Sequence, residues 1–186
     1  VKAGVRALGV AESYRGERST LAGVVVRASR VVDGLAFGTC TVGGSDVTDA
    51  VVDLFSRLDR EDVRYLLVSG VALAWYNVLD LHRLHEATGR PVVSVTYEAS
   101  DGLEDAIAAA FDGDERDGRL AVYRRQPDRE PLSVNGETVF VRAAGVDAGE
   151  ARDVVRAFTP EGGRPEPLRV ARLAARAGDA LRTGDF

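Results

Sequence analysis

Three apolar stretches follow one another near the start of the chain with only short turns between them: Arg6–Ser13, Thr20–Arg27 and Arg30–Thr41. Each shows the alternating or continuous apolar pattern of a strand. Parallel strands need a crossover of a dozen or more residues, whereas antiparallel neighbours need only a turn. These connections are too short for a crossover, so the first three strands are expected to form an antiparallel meander. That requirement removes most α/β arrangements before any motif is considered.

From there the pattern alternates. Gly43-Gly44-Ser45 ends the third strand, and Ser45 is the expected N-cap of a helix from Asp46 to about Leu58. Tyr65–Val68 reads as a short buried strand and Asn77–Thr88 as a helix stopped by Gly89 and Pro91. Val92–Tyr97 reads as a strand and Gly102–Phe111 as a helix. Asp112–Gly118 is a charged loop on this reading, followed by short strands at Leu120–Tyr123 and Pro131–Val134. Asn135-Gly136 marks a hairpin turn into Thr138–Arg142, and Asp147–Phe158 reads as a helix. One domain covering residues 1–186 is expected. Three antiparallel strands followed by alternating helices and strands resemble the ribonuclease H-like α/β fold, a mixed sheet with helices on both faces. A flavodoxin-like doubly wound sheet is the competitor, and the short first connections disfavour it.

The last helix opens on Gly163-Arg164-Pro165-Glu166-Pro167-Leu168-Arg169, where two prolines precede a periodic segment. Its period predicts Leu168, Leu173, Ala174, Ala177 and Leu181 near one face, with Arg169, Arg172 and Arg176 on a neighbouring one. No apolar run reaches the roughly 18–20 residues of a membrane span. Val1–Val10 does not read as a secretory signal, and the lone Cys40 cannot form an internal disulfide, so a reducing cytoplasmic setting is expected. Lys2 is the only lysine among 24 basic residues, and the net charge is −5. Such chains resemble proteins of salt-loving archaea, where salt screens an acidic surface, and a GC-rich genome is the other source of this arginine bias. The acidic balance argues against bulk electrostatic attraction to nucleic acid but leaves room for a local basic groove.

The Pro-Glu-Pro-Leu-Arg run also resembles the C-terminal signature of endonuclease V and of its archaeal relatives, endonuclease dU, and the resemblance extends from Arg6 to Leu181. Enzymes of that kind hold Mg²⁺ through carboxylates from separated segments. At the first strand, Gly9, Ser13 and Tyr14 match the family pattern, but Ala11 stands at the metal-binding aspartate and Glu12 follows it. Neighbours on a strand point to opposite faces, so Glu12 replaces the ligand only if the strand bends or ends there. Gly44-Ser45-Asp46-Val47-Thr48-Asp49 resembles the helix that supplies the next ligand, which maps onto Asp49. Acidic residues also favour a helix's first turn for its dipole alone. Ser69 occupies the aspartate position after the fourth strand, and Trp75–Asp80 resembles a Gly-Phe-Asn-x-x-Asp segment in which Asn77 is a candidate helix cap. Asp147 corresponds to the last ligand, and Asp147 with Glu150 equally fits a capping box.

The resemblance therefore implies Mg²⁺- or Mn²⁺-dependent cleavage of DNA or RNA near a deaminated base such as uracil or hypoxanthine. Glu12, Asp49 and Asp147 would hold the metal, and Tyr14, Arg15 and Arg169 would contact nucleic acid. No small-molecule cofactor and no membrane partner is expected. The rival is a degenerate nuclease that binds nucleic acid or a repair partner without cutting, which Ala11 and Ser69 favour. A structural protein with no nucleic-acid role is the third reading. His82 and His85 lack the further ligands zinc requires. Gly43-Gly44-Ser45 lacks the lysine of a phosphate loop, and Ser69 lacks a nucleophile-elbow context.

Overall fold

A computed structural model describes residues 1–185. The three leading stretches form β1 (Arg6–Tyr14), β2 (Arg18–Arg27) and β3 (Val32–Thr41), paired antiparallel as expected. Then come α1 (Val47–Leu58), β4 (Val63–Val68), the two-residue strands β5 (Ala72–Leu73) and β6 (Asn77–Val78), α2 (Leu81–Thr88) and β7 (Val92–Thr96). The chain continues through α3 (Glu104–Ala110), α4 (Gly113–Arg124), β8 (Glu130–Val134), β9 (Glu137–Ala144), α5 (Ala148–Phe158) and α6 (Glu166–Thr183). Seven strands make one sheet in the order β3-β2-β1-β4-β7-β9-β8. β4 lies parallel to β1 and β7 parallel to β4, while β9 runs antiparallel to β7. The architecture is the ribonuclease H-like mixed sheet, with the β8–β9 hairpin added as its far edge.

Alternation along β1 explains how both faces are covered. Leu8 and Val10 enter a cluster with Val47, Val51 and Leu54 of α1 and Leu81 and Leu84 of α2. Ala7 points the other way, into a cluster with Val154, Val155 and Phe158 of α5 and Leu168 of α6. Ala11, on that same side, packs with Val24, Val26 and Ala171. Gly9 faces α6 as well, where a Cβ would lie 2.3 Å from the Pro167 carbonyl carbon. Its missing side chain lets the first turn of α6 close on β1, which gives the Pro-Glu-Pro entry a packing role.

Several local expectations are corrected. Residues 113–124 are a helix, not a loop and a strand: Arg119, Leu120 and Tyr123 are buried at helical spacing, with Asp114 and Glu115 in the first turn and Arg124 in the last. α1 starts one residue later than expected, with Asp46 rather than Ser45 at the N-cap position. α2 starts at Leu81 because Asp80, accepting from the Arg83 N–H at 3.2 Å, is its N-cap, and Asn77 lies in β6. On α6 the buried positions are Pro167, Leu168, Ala171, Ala175 and Asp179, whereas Leu173 and Leu181 are exposed. The small residues win that face because the helix lies close against β1 and β2. The Asn135-Gly136 turn forms as expected, with φ of 51° and 84°.

Candidate functional site at the carboxyl ends of the parallel strands

β3, β1, β4 and β7 all point the same way, so Thr41, Tyr14, Val68 and Thr96 end at one edge of the sheet. In open α/β sheets the crevice outside the carboxyl ends of the strands is the usual place for a ligand. Here a cavity of about 420 Å³ opens at that edge, lined among others by Ser69, Thr96, Tyr97, Arg129, Arg142 and Arg164. β9 brings Arg142 there by pairing antiparallel with β7, Ser94 opposite Arg142. Arg129 precedes β8, and Arg164 lies in the loop before α6.

The three guanidinium groups are held by neutral partners. Arg129 donates to Thr96 Oγ1 at 2.9 Å and to the Glu98 carbonyl, and it lies 4.1 Å above the Phe140 ring. Burial, and then the neighbouring Arg142 charge, lower its pKa. Arg142 donates to the Pro127 carbonyl and, at 3.3 Å, to the Tyr123 hydroxyl, while Arg164 stacks 4.1 Å over Tyr97. Among the described residues none of the three pairs with a carboxylate, and Glu98 is the one acidic residue lining the cavity. The Tyr97 hydroxyl is buried without a hydrogen-bond partner. Burial pushes its pKa up to about 12, against the pull of Arg164 and Arg172, so it stays protonated as a donor. Three unneutralised arginines and an idle phenol form an anion-seeking pocket on a protein of net charge −5. Their convergence leaves no local signal beyond scattered arginines.

The expected metal ligands do not converge. β1 keeps register with β2 as far as Tyr14 opposite Ser19, so it neither bends nor ends at Glu12. Glu12 therefore points away from the Ala11 side, where its carboxylate accepts from Ser19 Oγ at 2.9 Å. Asp49 is exposed on α1 and ion-paired with Arg83 of α2. Asp147 caps α5, accepting from the Glu150 N–H at 2.8 Å, beyond the end of β9. Because Ala144 pairs with Val92 at the start of β7, that cap sits at the opposite edge of the sheet from Glu12. The capping box is only half made, since Glu150 accepts instead from the Tyr65 hydroxyl at 2.6 Å.

Asp46, at the N-cap position of α1, is tied down. It accepts from Thr41 N at 3.0 Å, Thr41 Oγ1 at 2.9 Å and Asn77 Nδ2 at 2.7 Å. Burial would raise its pKa, but these hydrogen bonds outweigh that and hold it below the ordinary range. Among the described residues no group of three or more His, Cys, Asp or Glu side chains is arranged to hold a metal ion. A hard divalent cation needs several convergent oxygen ligands, and the donors present do not fit Mg²⁺ or Mn²⁺. His85 is structural: its Nδ1 lies 2.8 Å from the Arg90 carbonyl, and its ring fills the space above Gly145.

Of the expected nucleic-acid contacts, Tyr14 is exposed at the end of β1, and Arg15 follows it in the turn, paired with Asp185. Arg169 lies in the first turn of α6, fastened to Glu166 at 2.6 and 2.7 Å. The same edge carries the β5–β6 hairpin, whose tip Ala74-Trp75-Tyr76 has φ of 44°, 57° and 58°. Left-handed backbone costs residues with a Cβ about 1–2 kcal/mol each.

Residues 3–178 match the family described as Endonuclease dU. A UPF0215 protein of Thermococcus kodakarensis is 36% identical over 172 residues, covering 91% of this chain and 84% of the relative. Among solved structures, a protein of unknown function from Archaeoglobus fulgidus superimposes with a TM-score of 0.83 at 25% identity, covering 92% of this chain and 96% of that one. Ciona intestinalis endonuclease V (D234N), in complex with DNA containing an inosine, superimposes with a TM-score of 0.65 at 13% identity, covering 96% and 86%. No helix among the described residues is long and apolar enough to cross a membrane.

Proposed function

The chain belongs to the endonuclease dU family, and from that premise we propose that it binds nucleic acid along the carboxyl edge of its sheet. A phosphate sits in the pocket of Arg129, Arg142 and Arg164, and Tyr97 donates to it once a ligand oxygen reaches its hydroxyl. Tyr14 and Arg15, at the end of β1, extend the contact surface along the same edge. The observation that carries this reading is the gathering of three arginines without carboxylate partners around one cavity. On an acidic protein, cations left unneutralised in a crevice imply an anionic occupant. The fold, shared with an endonuclease V seen in complex with inosine-containing DNA, supports nucleic acid as that anion.

Cleavage at a deaminated base, uracil or hypoxanthine, is the second reading, and family membership favours it. It requires Glu12, Asp49 and Asp147 to act together, whereas their partners are Ser19, Arg83 and the start of α5. The binding reading therefore accounts better for the side chains as they stand. Labelled DNA and RNA carrying one uracil or inosine, incubated in high salt with Mg²⁺ or Mn²⁺, tests both. Salt-sensitive binding that weakens in Arg129→Ala and Arg164→Ala, without cutting, is the expected result. Site-specific cutting lost in Glu12→Ala and Asp49→Ala would establish the second reading, and absence of any binding would sink the first.

A further inference from the structure

We infer that Trp75 is a stacking platform for one unpaired nucleobase, a contact that rests on the nucleic-acid reading above and extends it to a second point on the same edge. Trp75 is the only tryptophan of the chain, and it is 49% exposed. Its ring is nevertheless fixed. Phe111 lies 5.2 Å away at 50°, Tyr76 lies 5.8 Å away at 56°, and a Cβ on Gly43 would come 2.7 Å from the Trp75 Cε3. Gly43 thus leaves the space that the indole edge occupies.

The backbone beneath the ring is the second observation. Three consecutive left-handed residues, Ala74, Trp75 and Tyr76, form the tip of a hairpin where glycine, asparagine or aspartate would be the ordinary choice. The conformation persists because its surroundings hold it. The Gly43 N–H donates to the Ala74 carbonyl at 2.7 Å. The buried Arg119 donates to the carbonyls of Tyr76, at 3.3 Å, and of Gly43 and Gly44, and it lies 3.7 Å over the Phe111 ring. A solvated turn needs no such clamp, and a core tryptophan would not stand half out of the protein. Backbone held in a sparsely populated region to present one side chain is a mark of a ligand contact.

The position and charge around the ring identify the ligand. The hairpin leaves β4 through Ser69–Ala72, which line the arginine pocket. Asp112, Asp114 and Glu115 follow Phe111, the neighbour of the indole, at the start of α4 and disfavour phosphate there. Arg18, at the β2–β3 end of the same edge, donates to Thr41 Oγ1 at 3.3 Å, close in sequence to the Gly43-Gly44 turn. A strand therefore lays a base on the indole and turns its phosphates toward the arginines. Stacking on an aromatic ring is sequence-tolerant, because every base has a π-face, whereas phosphate contacts weaken steeply with salt. Stacking thus suits an acidic protein.

The sole tryptophan makes the test direct. The full-length protein is titrated with a single-stranded oligodeoxythymidylate of about a dozen nucleotides, following intrinsic fluorescence and, in parallel, the anisotropy of an end-labelled copy. The expected result is quenching that saturates at the same midpoint as the anisotropy. Trp75→Ala should weaken binding roughly 10- to 100-fold, and Trp75→Phe should recover most of the loss, with circular dichroism showing both variants folded. Binding seen by anisotropy with unchanged fluorescence, or with unchanged affinity in Trp75→Ala, overturns the platform and leaves the arginine pocket standing. No binding by either readout overturns both.

Discussion

The Asn77 amide donates to the Asp46 carboxylate at 2.7 Å while its own oxygen accepts from the Val47 N–H at 3.1 Å. A third bond, to the Thr41 carbonyl at 2.8 Å, completes a tie between the end of β3, the start of α1 and the β5–β6 hairpin. Asn77 is fully buried, so removing its amide leaves the Val47 N–H without a partner and takes one hydrogen bond each from the Asp46 carboxylate and the Thr41 carbonyl. Asn77→Ala should destabilise the fold by about 2–4 kcal/mol, the scale of leaving buried donors and acceptors unsatisfied. Chemical denaturation in high salt measures it. A change within experimental error would show that the tie is replaceable by water.

Gly9→Ala tests the seat of α6. The new Cβ would lie 2.3 Å from the Pro167 carbonyl, so the helix start must shift. Overpacking of this kind costs about 1–3 kcal/mol or more, and the melting temperature should fall accordingly. Gly16→Ala, where a Cβ meets nothing within 4 Å, serves as the control.

Acid should unfold the protein partly through Asp33 and Asp46. Hydrogen bonds from Arg27 and then Arg6 hold Asp33 well below the ordinary carboxylate range, and Asp46 is also lowered. A depressed folded-state pKa contributes stability that is present above the unfolded value, about 3.9, and is lost as pH falls toward the folded value. The stability curve should therefore drop below about pH 4. In Asp33→Asn, stability should be lower than wild type at pH 7, with the gap closing on acidification. A gap that stays constant with pH would remove Asp33 from the account.

Tyr97→Phe should separate stability from binding. Removing a buried hydroxyl that has no partner leaves stability unchanged or slightly raised. If the phenol donates to a phosphate in the complex, affinity for a single-stranded oligonucleotide falls about tenfold, the scale of a hydrogen bond to a charged group. Calorimetry and anisotropy on the same preparation give the two readouts.

Arg164→Ala should lower the slope of log affinity against log salt by about 0.7 for single strands, the value of one phosphate contact. A slope identical to wild type would take Arg164 out of the interface.

The antiparallel directions of the first three strands, the Asn135-Gly136 turn, the Asp147 cap and the Gly89 stop were legible because each is set by a few neighbouring residues: connection length, turn chemistry or a cap residue. α4 is not legible in the sequence because Leu120–Tyr123 carries a strand-like run, and Gly118 interrupts a helix whose buried face depends on Arg119 reaching Gly43. That reach is a tertiary fact. At the site, the sequence by itself determined that the uncharged Ala11 stands in β1 and the uncharged Ser69 just after β4. Only the folded sheet decided that Glu12 turns to the other face, that Asp147 lies at the opposite edge, and that three distant arginines meet. Side-chain direction on β1 follows from its unbroken register with β2, and the pocket follows from β9 inserting antiparallel beside β7. Pairings between segments far apart in the chain leave no periodic mark on either one.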